Sequence, residues 1–251
     1  MLFTTSWDDG YALDLKLASL LDRYRCKGTF YVCPALQNSR QMLSEEEIRA
    51  LAVRHEIGAH SLTHPKLTLV SQDAARREIS GSKEWVERVT GRPCTMFCYP
   101  KGRWNDSVRA LVQEAGFLGA RSTQAWKFSA TDPFTLPMSM QVMPFPVRGS
   151  FRPLWKFLLD PFCAFRIHWS ALNALGIPLI ARSSWLRLAI ACFEHAKNSD
   201  AQFFHLYGHS HELERFHLWE PLEAFLAYVA QSNVRCVTNG ELVEELREKR
   251  A

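Results

Sequence analysis

At 251 residues, 47% hydrophobic and 22% charged, the chain has the composition of a folded domain with a sizeable core, which excludes a disordered segment. Its net charge of +4 comes from Lys and Arg spread along the chain, with no basic stripe or interleaved aromatics, so nucleic-acid binding is not indicated. Seven cysteines, odd in number and lacking a Cys-x-x-Cys pair, read as reduced thiols, and with no export signal at the start they predict a cytoplasmic location.

In chain order, Leu2 to Ser6 reads as a short buried strand ending at Asp8 and Asp9, and Ala12 to Tyr24 carries Leu13, Leu17, Leu20 and Leu21 at helical spacing. Gly28 to Val32 is a second strand. Ser44, with Glu47 three residues on, forms a capping box that opens a helix. Glu56 to Ala59 is a strand delivering His60, Gln72 to Val89 a long amphipathic helix, Met96 to Tyr99 a strand, Ser107 to Ala115 a helix, and Phe117 to Ala120 a strand before Arg121. Gln202 to Tyr207 (strand), Glu220 to Ala230 (helix) and Val234 to Val237 (strand) complete the pattern. Alternating strands and helices, with polar residues at the strand ends, predict a barrel-like parallel sheet whose site lies at the carboxyl face.

Two motifs carry the chemistry: Trp7-Asp8-Asp9-Gly10 and His60-Ser-Leu-Thr-His64-Pro65. Asp, His and His suit a divalent metal that keeps one face open to water and substrate, which points to hydrolysis. Singly, Asp-Asp-Gly is more often a turn signal and His-x-x-x-His a solvated helix face. The conjunction, each motif at a strand terminus, carries the inference. The spacing of His60 and His64 brings both imidazoles to one ion if the turn between them is helical. Strand alternation puts His205, Tyr207 and His209 on one face near the C-terminus.

With Gly91-Arg-Pro, Phe97-Cys-Tyr-Pro-Lys-Gly102 and Phe204-His-Leu-Tyr-Gly-His-Ser-His-Glu212, these motifs resemble, in order, those of the polysaccharide deacetylases, the NodB homology domain or carbohydrate esterase family 4. The resemblance covers roughly residues 1–145 and 200–245. It implies a single catalytic domain over 1–251, a deformed (β/α)7 barrel with one divalent metal, removing an acyl group from an amino sugar. Asp9, His60 and His64 would be the metal ligands, Asp8 the general base, and His209 the general acid, with His205 a layer deeper as the other candidate. Zinc is the default metal, while nickel, cobalt, manganese or iron fit the same ligands. Tyr99, Lys101 and Arg121 are the candidate substrate or oxyanion residues, the backbone amide near Lys101 included. The family often carries an arginine that holds the catalytic aspartate. Cys98 stands at that position here, so Arg121, or else Arg103, is expected to supply the cation.

Between about 145 and 195 an apolar, helix-rich insertion is expected, in which aromatic and aliphatic residues alternate with Arg148, Arg152, Lys156, Arg166, Arg182 and Arg187. Pro153, Pro161 and Pro178 interrupt it too often for a membrane span, but it suits either packing on the barrel or peripheral contact with a membrane or lipid-linked substrate. The favoured reading is therefore deacylation of an N-acylated sugar in an intracellular or lipid-linked glycan precursor. A C–N hydrolase acting on a non-sugar amide, and a catalytically silent barrel binding glycan or lipid, are the alternatives.

Overall fold

A computed structural model describes residues 1–36, 40–147 and 162–249. Its strands are β1 (Leu2–Asp9), β2 (Thr29–Val32), β3 (Glu56–Ala59), β4 (Met96–Cys98), β5 (Gly119–Arg121), β6 (Met140–Gln141), β7 (Phe203–Gly208) and β8 (Cys236–Val237). They form one parallel sheet in the order β5-β4-β3-β2-β1-β7-β6. β1 is the hub. Its Ser6 to Asp9 pair with β2, Phe3 and Thr4 pair with β8, and Leu2 to Trp7 pair with β7. Every residue of β1, β2, β4, β5 and β7 is buried, as expected of parallel strands covered by helices.

The helices are α1 (Asp14–Arg23), α2 (Glu45–Leu51), α3 (Gln72–Thr90), α4 (Asp106–Glu114), α5 (Cys163–Ala174), α6 (Trp185–Lys197), α7 (Ser210–Arg215), α8 (Trp219–Ala230) and α9 (Asn239–Glu248). The capping box at Ser44 is present, the Ser44 side chain accepting from Glu47 N while the Glu47 carboxylate accepts from Ser44 N. α3 starts on Ser71, which accepts from Ala74 N, and ends on left-handed Gly91 at φ 67°. The parallel (β/α) barrel expected from the pattern is the observed architecture.

Four differences have physical causes. The strand expected over Phe117 to Ala120 is displaced, so that Arg121 is its last residue rather than the residue after it. β6 pairs over two residues, too few for any periodicity to show. α9 begins with a second capping box, Thr238 with Glu241, that the hydrophobic pattern does not reveal. Finally, the expected insertion is not wholly an appendage. Residues 148–161 of it lie outside the described residues, but α6 is the crossover helix that returns the chain to β7. Its Phe193 ring packs 6.2 Å from Phe3, 5.5 Å from Phe204 and 6.0 Å from Phe225, at the centre of the core. α5 lies further out and leaves Phe162, Ile167 and Trp169 exposed, with Leu179 and Ile180 beyond it. No described helix is long and apolar enough to cross a membrane.

Candidate metal centre

Parallel strands deliver their C-terminal ends to one face, and the polar residues gather there. Asp8 and Asp9 end β1, His60 follows β3, Cys98 ends β4, Arg121 ends β5 and His209 follows β7. Asp9, at φ 81°, leaves the extended region, and Gly10 follows at φ 80° with the site of a Cβ only 3.2 Å from Val32 Cγ1. A side chain there would meet both strain and a packed neighbour, which explains the glycine of the motif. His64 and Lys101 are also left-handed, at φ 60° and 58°. Such backbone is uncommon for non-glycine residues and clusters where surrounding contacts over-determine it.

Those contacts are visible. The turn from His60 to His64 is not helical, contrary to the expectation from the four-residue spacing. It is a bend with Ser61 at φ 60°, in which His64 N donates to Ser61 Oγ at 3.0 Å. Glu78 on α3 clamps it, accepting from Leu62 N and Thr63 N at 2.9 Å and from Thr63 Oγ1 at 2.7 Å. The bend still brings the imidazoles together, their ring centroids 4.7 Å apart.

Asp9 Oδ1 lies 3.7 Å from His60 Nε2 and 3.7 Å from His64 Nε2. That oxygen is buried without a hydrogen-bond partner, while Asp9 Oδ2 accepts from the Tyr11 hydroxyl at 2.8 Å. His60 Nδ1 lies 2.8 Å from the Cys98 carbonyl, which can only accept. Nδ1 therefore donates to that carbonyl, and Nε2 is the ring nitrogen turned toward Asp9. Burial, and next the charge of His60, push His64 down to about 4, so its imidazole is neutral near pH 7. An orphaned carboxylate oxygen and two imidazole nitrogens, mutually within 4.8 Å, suit a divalent cation.

Asp8, His60 and Cys98 also lie within 4.8 Å of one another. They are the poorer cation site. Arg121 is fully buried beneath them, its Nη2 contacting both Asp8 oxygens and donating to Cys98 Sγ at 2.9 Å, so a metal there would face an adjacent guanidinium. Burial drives the Cys98 thiol well above its ordinary value, leaving it neutral. Asp8 behaves oppositely. Burial alone would raise its carboxyl, but Arg121, then His60 and His209, hold it down at about 2. The cation expected from Arg121 is thus in place. Its guanidinium also lies 4.3 Å from the Tyr207 ring centroid.

On the opposite side, His209 Nε2 stands 4.0 Å from Asp9 Oδ2 and 3.5 Å from the Tyr207 hydroxyl, and its Nδ1 is 3.5 Å from Glu212 Oε2. Burial works against its proton, but the carboxylates of Glu212, Asp8 and Asp9 outweigh it and raise His209 to about 9. His211 packs edge-on against Tyr11, ring centroids 4.4 Å apart, at the rim.

Two candidates lie elsewhere. His205 is fully buried with both ring nitrogens engaged, Nε2 with Ser6 Oγ at 2.8 Å and Nδ1 with the Pro137 carbonyl at 2.8 Å, which leaves no free nitrogen for proton transfer. Tyr99 has its ring between Phe97 and Trp104 and donates its hydroxyl to the Phe134 carbonyl at 3.0 Å, so its side chain does not reach the cleft. Lys101 does line an open cleft of about 440 Å³, with Ala35, Leu36, Thr63 and His64. A second cleft of about 640 Å³ opens on the other side of Asp9, lined by Tyr11, Leu13, Arg40, Gln41, His211 and Arg215 among others. Sequence reasoning missed Tyr11, Glu78 and the partnership of Glu212 with His209. Only the last has a sequence signal, three residues of separation.

Fold and site together define a parallel (β/α) barrel presenting an Asp-His-His cluster at its carboxyl face, with a second aspartate beside it. A family model described as "Polysaccharide deacetylase" matches residues 2–120, in keeping with the resemblance read from the motifs. The chain is 30% identical over 124 residues to the peptidoglycan-N-acetylmuramic acid deacetylase PdaC of Bacillus subtilis, a match covering 49% of this chain and 26% of that protein. The chain spans 26 to 43% of the length of the curated relatives it matches. Among solved structures, a protein of Mycobacterium smegmatis described as a polysaccharide deacetylase superposes with a TM-score of 0.65 at 17% identity, covering 99% of this chain and 91% of that one. A family 4 acetyl xylan esterase of Clostridium thermocellum, solved with a cobalt ion, superposes with a TM-score of 0.59 at 17% identity, covering 98% and 91%. These structural likenesses establish the (β/α)7-type fold.

Proposed function

We propose that the protein is a metal-dependent hydrolase that removes an N-acyl group, acetyl in the simplest case, from an amino sugar of a glycan or glycan precursor. The observation that carries this reading is the unpartnered Asp9 Oδ1, held 3.7 Å from the Nε2 atoms of both His60 and His64. Asp9, His60 and His64 would hold the metal, zinc by default for this donor set. When bound, it supplies Lewis-acid polarisation of the amide carbonyl and lowers the pKa of water toward ~7.

The remaining steps belong to side chains. Asp8, ionised and pinned by Arg121, takes a proton from the attacking water, its Oδ2 lying 4.0 Å from His60 Nε2. His209, protonated near pH 7, stands across the site to give its proton to the departing amine, and its charge stabilises the oxyanion that forms first. The Lys101 backbone amide, in its left-handed turn, is the second donor proposed for that oxyanion. The two clefts flanking Asp9 give sugar residues room on both sides of the reacting amide.

The test is metal content and acetate release from N-acetylated chito-oligosaccharides. Asp9→Ala and His64→Ala should lose both metal and turnover, whereas Asp8→Asn should keep the metal and lose turnover. Undiminished metal content in the first two variants would refute the site. Release of acyl groups from small non-sugar amides but not from sugars would move the substrate to the alternative class.

A specific surface favours a membrane-bound acceptor. Phe162, Ile167, Trp169, Leu179 and Ile180 are exposed, and from 162 to 193 the chain has no acidic residue but carries the exposed Arg166 and Arg187, while Arg182 is buried against the Ile177 carbonyl. An apolar and basic surface of this kind suits an anionic bilayer, and a lipid-linked sugar is the substrate it would present. Co-sedimentation with vesicles containing phosphatidylglycerol, lost on Ile167→Ser with Ile180→Ser, checks this. Equal sedimentation of the double variant would exclude it.

A further inference from the structure

At the floor of the barrel, away from the metal face, two cysteines meet. Cys26 lies between α1 and β2, and Cys236 opens β8, paired with Phe3 at the start of β1. Their Sγ atoms are 2.8 Å apart, across 210 residues of sequence. No other pair of the seven cysteines shows a sulfur–sulfur contact among the described residues. A covalent S–S bond is about 2.05 Å long, so closing the gap needs movement of less than an ångström, within the reach of side-chain rotation. We propose that Cys26 and Cys236 form an oxidisable pair, a disulfide site that staples the C-terminal β8–α9 segment to the barrel floor.

The surroundings give this bond a purpose. β8 joins the sheet through only two residue pairs, Phe3 with Cys236 and Thr4 with Val237. The segment behind it nevertheless anchors buried polar groups. Asn239 accepts from Thr4 Oγ1 at 2.8 Å, donates through Nδ2 to the Tyr31 hydroxyl at 2.9 Å, and donates through its backbone N–H to Thr29 Oγ1 at 2.8 Å. If β8 frays, these buried groups lose their partners together. A bridge from Cys236 to Cys26 holds the strand where its own pairing is weakest.

Access is asymmetric. Cys26 is 2% exposed, while Cys236 is partly exposed and lines an open cleft of about 270 Å³ with Lys27, Arg235 and the glutamates of α9. The entering atom is therefore Cys236 Sγ, and a low-molecular-weight disulfide such as oxidised glutathione is the co-reactant. The Cys236 thiolate attacks one sulfur of that disulfide, forming a mixed disulfide and releasing one glutathione thiol. Cys26 then attacks Cys236 Sγ and releases the second. Two protein thiols are oxidised, one small disulfide is reduced to two thiols, and the two protons leave with them. Both thiols are free in the structure, as the expectation of reduced cysteines has it, and the proposal concerns what oxidation would do to this one pair.

The test does not depend on the catalytic reading. Native protein is equilibrated with oxidised glutathione, quenched by acid, unfolded and titrated for thiols, then mapped by non-reducing peptide mass spectrometry. The expected result is five free thiols of the original seven and a Cys26–Cys236 linked peptide. Cys26→Ser and Cys236→Ser should each keep all six. Because the bridge closes a loop of over two hundred residues, the oxidised wild type should melt on the order of 10 °C above the reduced form. Seven titratable thiols, a linkage between other cysteines, or glutathione remaining on Cys236 would each overturn the proposal.

Discussion

Moving a cation across one rung of the sheet is the sharpest perturbation the site offers. Cys98 and Arg121 are register partners on β4 and β5, and Arg121 is buried against Asp8 and Cys98 Sγ. Removing the guanidinium in Arg121→Met strands a buried carboxylate. Breaking a buried pair in this way costs about 3–5 kcal/mol, which for a chain of this size lowers Tm by roughly 6–20 °C. With the cation gone, burial raises the Asp8 carboxyl instead of being outweighed. The sign follows from linkage. The Asp8 carboxyl is held at about 2 against an ordinary 3.8, so it contributes about 2 kcal/mol that is present above pH 4 and lost as pH falls toward 2. That acid-side loss should vanish in Arg121→Met. The swapped variant, Cys98→Arg with Arg121→Cys, puts a guanidinium back from the neighbouring strand. It should recover both the acid limb and at least about 2 kcal/mol relative to the sum of the single changes, measured by urea unfolding from pH 2 to 7. Additivity of the two substitutions within about 0.5 kcal/mol would refute the claim that either strand can supply the cation.

Three further outcomes are expected. His209→Ala should reduce deacylation about 10²–10⁴-fold with metal content unchanged, since in the proposed mechanism the residue donates a proton rather than holding the ion; loss of metal would reassign it as a ligand. Glu212→Gln removes the nearest carboxylate keeping His209 at about 9, so the alkaline limb of the pH–rate profile should move toward neutrality, and an unmoved limb would sever that partnership. Asp14, fully buried, is pushed by burial from 3.8 to about 8, so stability present below pH 4 is lost as pH rises toward 8. Asp14→Asn should therefore match the wild type near pH 4 and exceed it by a few kcal/mol near pH 8, read by denaturant titration at both; a constant difference would disprove the ionisation.

Much of the site was legible because strand ends are where parallel sheets put chemistry, and because Asp8, Asp9, His60 and His64 each follow a recognisable strand. Arg121 was legible as the cation that Cys98 lacks. The details that failed were those set by tertiary contact. Imidazoles four positions apart suggest a helical turn, but the carboxylate of Glu78, on another element, holds that loop in a bend instead. His205 and His209 share a strand face, and only the Ser6 hydroxyl and the Pro137 carbonyl show which of them is sequestered. Tyr99 looks like a cleft residue until the Phe134 carbonyl claims its hydroxyl. α6 reads as part of an apolar insertion because its buried face, Trp185, Leu188, Ala189, Cys192, Phe193 and Ala196, is as apolar as the residues before it.

The unusual backbone at Asp9, Ser61 and His64 has one more consequence. These torsions are locked by the Tyr11 hydroxyl, the Glu78 carboxylate and the Cys98 carbonyl, all of them supplied by the polypeptide itself. The donor triangle is consequently assembled by the fold itself, and the ion of the proposed function would meet it ready-made rather than gather it. Capture of a cation should then perturb the surrounding amides very little, and its affinity should respond to Glu78→Gln, a residue that never touches the ion.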